Sequence, residues 1–347
     1  MKMNMRPLAL IGQCALLVAA LLASVPTARA DDHVDALISS YGFQIFPILV
    51  AKELGYFHEE GIDMNVTRVE GGGKAMAALM GGDVQIILAV PSSVFQARGR
   101  GADVVSFGAV FSQIGSNFVM SKDWAAKHNV TEKTPYPEKL RALKGAVIGV
   151  NTAGSGTDQV VRYLAKEAKL DPDRDMTISA VGTGDVMTAA LSRGVIQGFL
   201  QGSPVGENAI QNHGAMMFVN TVEGEVPALN GFLYMASVAK ESWLKNHADL
   251  AVRYTRAMQK ALDTIRDPAQ TNKARDVIHQ AYHPKIDKAL FDATWAEHVA
   301  AYPKNSVITD KMIQQIVSFT NEFETPIPAA IVKASWTDEY ANKAEAK

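Results

Sequence analysis

One stretch of the sequence occurs twice, and this repeat limits the folds that the chain can adopt. Residues 75–88 read AMAALMGGDVQIIL and residues 186–200 read VMTAALSRGVIQGFL, so that Gln85 matches Gln197. In each copy an Ala-rich helical segment leads through a glycine to a short apolar strand, and a glycine-rich loop precedes the helix. Two copies so far apart predict two similar α/β lobes rather than a solenoid, with chance similarity as the alternative.

The first 30 residues have the pattern of a secretory signal peptide. Lys2 and Arg6 form a basic start, residues 8–25 form an apolar run, and residues 28–30 (ARA) give an A-x-A cleavage pattern before Asp31. The apolar run is short for a membrane span, and a retained anchor helix is the alternative. We therefore predict an exported protein that works in the periplasm and whose mature chain begins at Asp31.

The mature chain contains no cysteine, because Cys14 lies in the predicted signal peptide. Disulfides, a thiol nucleophile and a thiolate metal site are thereby excluded. Loss of Lys2, Arg6 and Arg29 reduces the 34 basic residues to 31, against 36 acidic ones. Such a mildly acidic chain has no general attraction for nucleic acid or for a membrane surface.

Strands and helices alternate along the mature chain through short loops. This alternation predicts an α/β protein in which each lobe is a mostly parallel sheet flanked by helices. Predicted strands are 34–39, 63–69, 84–90, 103–110, 146–150, 177–181, the strand that ends the second copy of the repeat at Leu200, 216–220 and 232–237. Crossovers between the lobes are expected at 112–117 and 224–231. The predicted lobes are residues 31–114 with 228–347 (lobe 1) and residues 115–227 (lobe 2).

The last third of the chain is helical in pattern. Apolar residues at helical spacing form two stripes, which we interpret as core rather than as a cofactor site. The stripes are Leu250, Tyr254, Met258, Leu262 and Ile265, and then Met312, Ile316, Phe319 and Phe323. The Ala- and Lys-rich tail after Pro328 is expected to pack loosely or to fray.

Three segments carry a resemblance to a known family. Residues 42–66 (GFQIFPILVAKELGYFHEEGIDMNV) resemble the opening of the periplasmic solute-binding proteins of ABC transporters, in the branch that handles nitrate, sulfonates, taurine and thiamine-precursor pyrimidines. Residues 143–150 (LKGAVIGV) and the Gly/Ser/Thr loop behind them resemble the start of the second lobe. Residues 193–204 (RGVIQGFLQGSP) resemble the G-x-V-D-A-x-x-x-x-P element. The resemblance implies two α/β lobes, two crossovers and a ligand held in the cleft between the lobes.

The sequence departs from the family pattern at two places. The family commonly has Asp where this chain has Gln85 and Gln197. Both copies of the repeat differ from the family in the same way. We therefore interpret these two residues as part of the structure of each lobe rather than as ligand contacts. Residues 201–204 (QGSP) also differ from the usual acidic ending before the proline, and the ligand class stays open between a small organic anion and a neutral pyrimidine.

The loops behind the parallel strands are expected to meet at one edge of each sheet, where open α/β sheets bind ligands. The six loops are 40–44, 71–74, 91–92, 151–157, 182–185 and 201–204. Four of them open a helix, so backbone N–H groups and the positive end of the helix dipole are expected to face the cleft. This arrangement suits a carboxylate, sulfonate or nitrate group, whereas an ordinary βα turn is the alternative for any single loop. The residues expected to bind the ligand are Ser40, Tyr41, Gln44, Gly72, Gly73, Lys74, Pro91, Ser92, Asn151, Ser155, Gly156, Thr157, Gly184, Asp185 and Gln201.

Lys74 is the residue with the most specific predicted role. A cation in the first turn of a helix opposes the helix dipole, so Lys74 would be a counter-ion of an anionic ligand or would simply point into solvent. Tyr41, Phe43 and Phe46 would stack on the ligand or belong to the core. Asp185 is explained as a helix N-cap, or else it accepts a hydrogen bond from a ligand that carries donors.

Enzymatic and metal-dependent functions find little support in the sequence. The loop at 151–157 lacks both the Lys-Ser/Thr of a P-loop and the spacing of a dinucleotide-binding loop. His279 and His283 are four residues apart, but Pro284 follows and no Glu lies between them, so we expect neither a metal nor a cofactor. We predict a monomeric, non-enzymatic solute-binding protein that delivers its solute to an ABC importer permease. An exported enzyme and a sensory ligand-binding protein are the alternatives.

Overall fold

The computed structural model describes residues 31–321 and 325–346, and the predicted signal peptide lies outside these residues. Two five-stranded sheets organise the described chain. The strands are β1 (Asp32–Ile38), β2 (Ile62–Arg68), β3 (Ile86–Ala89), β4 (Val105–Phe111), β5 (Ser116–Ser121), β6 (Val147–Val150), β7 (Thr177–Ala180), β8 (Gly198–Gly202), β9 (Ala215–Val219) and β10 (Met235–Ala239).

The two sheets have the same strand topology. Sheet one has the order β2-β1-β3-β10-β4 and sheet two has the order β7-β6-β8-β5-β9. In sheet one, β10 runs antiparallel to β3 and β4, while in sheet two β5 runs antiparallel to β8 and β9. The remaining pairings are parallel. The predicted two-lobed α/β fold is confirmed, and each sheet contains one antiparallel strand that follows a crossover.

The chain passes between the sheets twice. Residues 112–115 connect β4 with β5, and residues 220–234 connect β9 with β10. The second connection contains a short 3-10 turn, Pro227–Leu229. The two predicted crossovers are therefore present. The first is shorter than predicted, because β5, which the sequence pattern does not indicate, begins at Ser116, and the returning strand begins at Met235, three residues later than the pattern indicates.

Helices cover both sheets, and none of those described is long and apolar enough to cross a membrane. The helices are α1 (Phe46–Glu53), α2 (Tyr56–Glu59), α3 (Gly72–Gly81), α4 (Pro91–Gly99), α5 (Lys122–Lys127), α6 (Gly156–Glu167), α7 (Asp185–Ser192), α8 (Val205–Asn212), α9 (Glu241–Asn246), α10 (Ala248–Arg266), α11 (Thr271–Tyr282), α12 (Lys288–His298), α13 (Asp310–Asn321), α14 (Ala329–Ala334) and α15 (Glu339–Glu345).

The repeated stretch builds the same unit in each sheet. Helices α3 and α7 each end close to a glycine with positive φ, Gly82 at 91° and Gly194 at 70°. Oε1 of Gln85 accepts the backbone N–H of Asp35 at 2.8 Å, and Oε1 of Gln197 accepts that of Val147 at 2.8 Å. Since each glutamine ties its own turn to the neighbouring parallel strand, the interpretation of this pair as lobe-building is confirmed.

The C-terminal helices pack on sheet one and on its helices. The first predicted stripe is buried along α10, which contacts α1, α2 and α15. In α13, Ile313 is buried where the pattern predicts Met312, and the predicted Phe323 lies outside the described residues. The expectation of a loosely packed tail is wrong, because Tyr340 and Ala341 of α15 are buried and the backbone of Trp336 pairs with Ser106 in β4.

Candidate ligand-binding cleft

A cavity of 640 Å³ lies where the carboxyl ends of strands from both sheets meet. Ser39 follows β1 and Val90 follows β3 on one side, while the loop at 151–157 follows β6 on the other. The lining residues are Ser39, Gln44, Gly72, Gly73, Met76, Met80, Leu88, Ala89, Val90, Ser93, Gln96, Ala97, Arg100, Gly101, Ala102, Asn151, Thr152, Ala153, Gly154, Ser155, Gly156, Thr157, Tyr234 and Met235. This is the sheet edge at which α/β proteins bind ligands.

Two helices begin at the wall of the cavity. Gly72 and Gly73 form the start of α3, and Gly156 and Thr157 form the start of α6. The first backbone N–H groups of a helix have no partner within the helix, and the helix dipole gives this end a partial positive charge. The cleft therefore offers two sets of N–H donors to a ligand, one from each lobe.

The loop that leads into α6 is held in shape by its own hydrogen bonds. The N–H of Asn151 donates to Oγ1 of Thr157 at 3.1 Å, and the N–H of Gly154 donates to Oδ2 of Asp158 at 2.7 Å. Asp158 also forms an ion pair with Arg162, at 3.1 Å between Oδ1 and Nε. The arginine offsets the carboxylate, so the negative charge of Asp158 opposes an anion at this helix start only weakly.

Gln44 connects the two sides of the cleft. Its Nε2 donates to Oγ of Ser40 at 3.1 Å, and the side chain is only 5 % exposed. A Cβ atom on Gly42 or Gly202 would lie 2.4 or 2.7 Å from Oε1 of Gln44, so a side chain at either position would require the amide to move. Sheet one is also joined to sheet two by the N–H of Phe43, which donates to the carbonyl of Ser203 at 3.2 Å.

Two amide oxygens at the cavity find no hydrogen-bond partner within the described part of the chain. They are Oε1 of Gln44 and Oδ1 of Asn151. Buried polar atoms are normally paired, so each of these two oxygens has an unused capacity to accept a hydrogen bond. Arg100 is the only charged side chain among the described residues that line this cavity.

Seven of the residues predicted to bind the ligand line the cavity, and eight do not. Those that line it are Gln44, Gly72, Gly73, Asn151, Ser155, Gly156 and Thr157. Ser40 lies behind them and positions Gln44. Tyr41 packs on Tyr282 with the guanidinium of Arg68 over its ring. Phe43 and Phe46, for which stacking on the ligand and core packing were the alternatives, are fully buried in the core.

The remaining predicted residues lie outside the lining. Lys74 is exposed in the first turn of α3, and Pro91 and Ser92 are buried in the first turn of α4. Gln201 is buried in β8, where its Oε1 accepts the N–H of Gly202 at 3.1 Å. Gly184 is the N-cap of α7 without a side-chain cap, so the expectation that Asp185 is that N-cap is wrong.

An apolar side of the cavity was not predicted from the sequence. Met76 and Met80 of α3, Leu88 of β3 and Ala97 of α4 line it, together with Met235 at the start of β10. The sequence contained one sign of this apolar side. Met76 and Met80 are four residues apart in the repeated stretch, and this spacing places both side chains on one face of the helix.

Tyr234 was also missed, because it stands at the end of a crossover that has no motif. Its Oη lies 3.1 Å from Oγ of Ser116, and burial raises the pKa of its phenol. The phenol therefore stays neutral and can act as a hydrogen-bond donor at physiological pH.

Comparisons with known proteins identify the family and the fold of this chain. A family model described as NMT1-like family matches residues 43–279. YtlA of Bacillus subtilis (strain 168), whose name describes it as a binding protein, is 27% identical over 293 residues, which are 81% of each chain. A solved structure from Bordetella bronchiseptica RB50 is 21% identical with a TM-score of 0.79, covering 92% of this chain and 98% of that one.

The same fold occurs in a protein with a named ligand. The alkanesulfonate-binding protein SsuA from Xanthomonas axonopodis pv. citri, solved bound to MOPS, is 13% identical with a TM-score of 0.70, covering 89% of this chain and 99% of that one. At 13% identity this similarity is evidence for a shared fold only. With more than half of its length matched by the family model, the chain belongs to the NMT1-like family and has the two-lobed fold of ABC-transporter substrate-binding proteins.

Proposed function

We propose that this protein captures a small organic anion in the cleft and delivers it to the permease of an ABC importer in the periplasm. The observation that carries the proposal is the meeting of two helix starts, at Gly72 and Gly156, on one cavity between the sheets. Backbone N–H groups at helix starts bind carboxylate, sulfonate and similar oxyanions without a side-chain counter-ion.

The charges around the cavity support an anionic ligand. No Asp or Glu is among the described residues of the lining, whereas Arg100 is. Arg100 is exposed at the outer end of α4, so it can attract an anion toward the cleft.

The apolar wall favours an organic anion over a bare inorganic one. Met76, Met80 and Leu88 offer methyl and thioether groups beside the helix starts. A cavity of 640 Å³ is of the size that proteins use for small organic ligands. We infer that the ligand carries its charge at the two helix starts and an apolar portion against the methionines.

A neutral pyrimidine-like ligand is the second candidate. The amide oxygens of Gln44 and Asn151 without partners favour it, because they accept N–H donors and repel an oxyanion. The same two oxygens would suit an anion that also carries an amino or amide group. The remaining predicted site residues, including Lys74, Ser92, Asp185 and Gln201, stay candidate contacts in an open form of the cleft.

Binding without catalysis is the mechanism that we infer. Lobe 1 (residues 31–114 and 228–347) and lobe 2 (residues 115–227) would close on the ligand, which favours the closed state because it contacts both. A monomer is sufficient for this mechanism, and neither a cofactor nor a metal is needed. A sensory role would use the same closed form, and capture of the permease would distinguish transport from it.

A thermal-shift screen tests the ligand class. Sulfonates, carboxylates, nitrate, taurine and pyrimidines would be compared, since a ligand that binds only the folded cleft raises the melting temperature. We expect the largest shift from an organic sulfonate or carboxylate. A shift from pyrimidines alone would select the second candidate, and turnover of a test compound would contradict the binding function.

A pair of variants at Gly72 tests the proposed anion site. Gly72→Pro removes one backbone N–H at a helix position that accepts proline, and Gly72→Ala keeps the N–H. A Cβ at this position meets no atom within 4 Å, so both variants should fold. We expect Gly72→Pro to bind the best anionic ligand about tenfold more weakly than Gly72→Ala. Equal affinities would contradict anion binding at this helix start.

A further inference from the structure

The ligand cavity extends well beyond the two helix starts. On α3 its lining runs from Gly72 through Met76 to Met80, which is the last residue but one of the helix. These residues are four apart, so they lie on one face of α3. With a rise of roughly 1.5 Å per residue, Gly72 and Met80 lie about 12 Å apart along the helix axis. The cavity is therefore a groove that begins at the helix start and ends beside Met80.

Helix α4 forms the opposite wall of this groove. Ser93, Ala97 and Arg100 line it, at a spacing that places them on one face of the helix. Both helices lie on the same face of sheet one, since Leu79 of α3 and Val94 of α4 belong to one buried cluster. Helix α3 packs on β1 and β3, whereas α4 packs on β10, β4, α13 and α14. The groove is the space that remains between the two helices.

The outer end of the groove carries a positive charge. Arg100 is exposed there, and its side chain has neither an ion pair nor a hydrogen bond within the described part of the chain. The acidic residues nearby, Asp103 and Glu241, are instead paired with Arg98, which donates to the carbonyl of Ala334 on the side of α14. The guanidinium of Arg100 is therefore available to an anionic group in the groove.

The middle of the groove is apolar. Met76 and Ala97 face each other across it, and Met80 follows toward the outer end. Met80 is 45 % exposed, although a large apolar side chain gains free energy when it is covered. A compact ion such as nitrate would occupy the inner end only and would leave this apolar surface and Arg100 without a contact. An aliphatic chain would cover the surface and reach Arg100.

We propose that the ligand is a linear aliphatic dicarboxylate of about nine carbons, an inference that rests on the proposed capture of an organic anion in this cleft. An extended chain advances roughly 1.2 Å per bond, so such a molecule spans about 10 Å between its carboxyl carbons, close to the length of the groove. One carboxylate accepts the N–H groups at the starts of α3 and α6, and the methylenes lie on Met76 and Met80.

Arg100 is then the residue that determines specificity for a second anionic group. Its guanidinium donates to the outer carboxylate, and two parallel N–H···O bonds make such a pair strong and directional. A chain with one carboxylate would leave the arginine unpaired, and a short dicarboxylate would not reach it from the helix starts.

Calorimetric titration with three acids tests this ligand class. Azelate has nine carbons and two carboxylates, nonanoate has the same length with one carboxylate, and succinate has two carboxylates on a short chain. We expect azelate to bind at least about tenfold more tightly than either of the others, because it alone makes both charged contacts.

A pair of arginine variants assigns the preference to Arg100. Arg100→Gln removes the charge from an exposed position, so the variant should fold, and its preference for azelate over nonanoate should be lost. Arg193→Gln is the matched control, because Arg193 is also exposed and follows α7 as Arg100 follows α4, but it does not line the cavity. This control should keep the preference of the wild type.

Two results would overturn the assignment of a dicarboxylate. Azelate would bind no more tightly than nonanoate or succinate, or Arg100→Gln would keep the preference of the wild type. Either result leaves the capture of an anion at the helix starts in place if another sulfonate or carboxylate raises the melting temperature. A protein whose melting temperature responds to none of the anions would contradict the proposed function as well.

Discussion

Oγ of Ser92 donates a hydrogen bond of 2.8 Å to Oε1 of Gln159. Ser92 lies in α4, beside sheet one, and Gln159 lies in α6, beside sheet two. Their side chains are 2 % and 4 % exposed, so this polar contact between the lobes is shielded from water. The sequence predicts Ser92 as a ligand contact, and in this structure its hydroxyl is instead engaged across the lobes.

We predict that Ser92→Ala lowers the free energy of unfolding by about 1–3 kcal/mol. The variant leaves the buried Oε1 of Gln159 without its donor, and the cost of an unpaired buried acceptor has this size. Urea unfolding followed by circular dichroism measures the change. Ser93→Ala is the control, because its hydroxyl donates to the carbonyl of Val90 within the same turn and is less buried. If Ser92→Ala lowers the free energy of unfolding no more than Ser93→Ala does, the contact between the lobes adds nothing beyond a local hydrogen bond.

The glutamines of the repeat should make similar and independent contributions to stability, with the larger one from Gln197, whose Nε2 also donates to the carbonyl of Gly194 at 3.2 Å. Gln85→Ala and Gln197→Ala each remove one side-chain acceptor of a strand N–H, at a cost of about 1 kcal/mol. Because the two sites lie in different sheets without shared partners, the double variant should lose the sum. Gln85→Glu keeps an acceptor oxygen and should retain most of the stability. Non-additive losses, or no loss in either single variant, would contradict the common structural role.

The same residues show why the repeat could be interpreted from the sequence. A glutamine that bonds the backbone of the next strand acts locally, within one helix–turn–strand unit, so its role follows from its place in the repeat. The helix starts at Gly72 and Gly156 were predictable for the same reason, since the glycine loops that precede helices are visible in the sequence.

The missed parts of the site depend on contacts between distant segments. Tyr234 reaches the cavity because β10 returns to sheet one, and its partner Ser116 lies 118 residues away in the chain. The hydroxyl of Ser92, predicted as a ligand contact, instead donates to Gln159, 67 residues away. The tail around Tyr340 is ordered by packing against α10 and β4, which no local pattern in an Ala- and Lys-rich segment indicates.

The stability of the protein should fall as the pH decreases from about 6.5 to about 4. Burial lowers the pKa of His283 to about 4, and its Nε2 lies 2.7 Å from the carbonyl of Tyr41, to which the neutral ring donates. The unfolded chain takes up this proton near the ordinary pKa of 6.5 and the folded chain does not. The stability contribution of His283 is therefore complete above pH 6.5 and is lost progressively toward pH 4.

For this one group the loss is at most about 3 kcal/mol, the free-energy equivalent of the shift. Urea unfolding at a series of pH values measures it. His283→Gln keeps an N–H donor for Tyr41 without a titrating ring, so its unfolding free energy should depend less on pH in this window. A variant with the same pH dependence as the wild type would rule out His283 as the cause, although His298, whose pKa is also lowered by burial, would add its own part.

Lys74 provides the final prediction, because its position limits how it can act on an anion. It is exposed in the first turn of α3, next to Gly72 and Gly73 at the cavity wall. As a counter-ion at the rim, its charge would be partly screened by water and salt. Lys74→Ala should therefore weaken the best anionic ligand about two- to fivefold at low ionic strength, with little effect at high ionic strength. Lys333→Ala, at an exposed lysine on α14, should leave the affinity unchanged at either ionic strength. If Lys74→Ala behaves like this control at low ionic strength, the helix N–H groups bind the anion without help from Lys74.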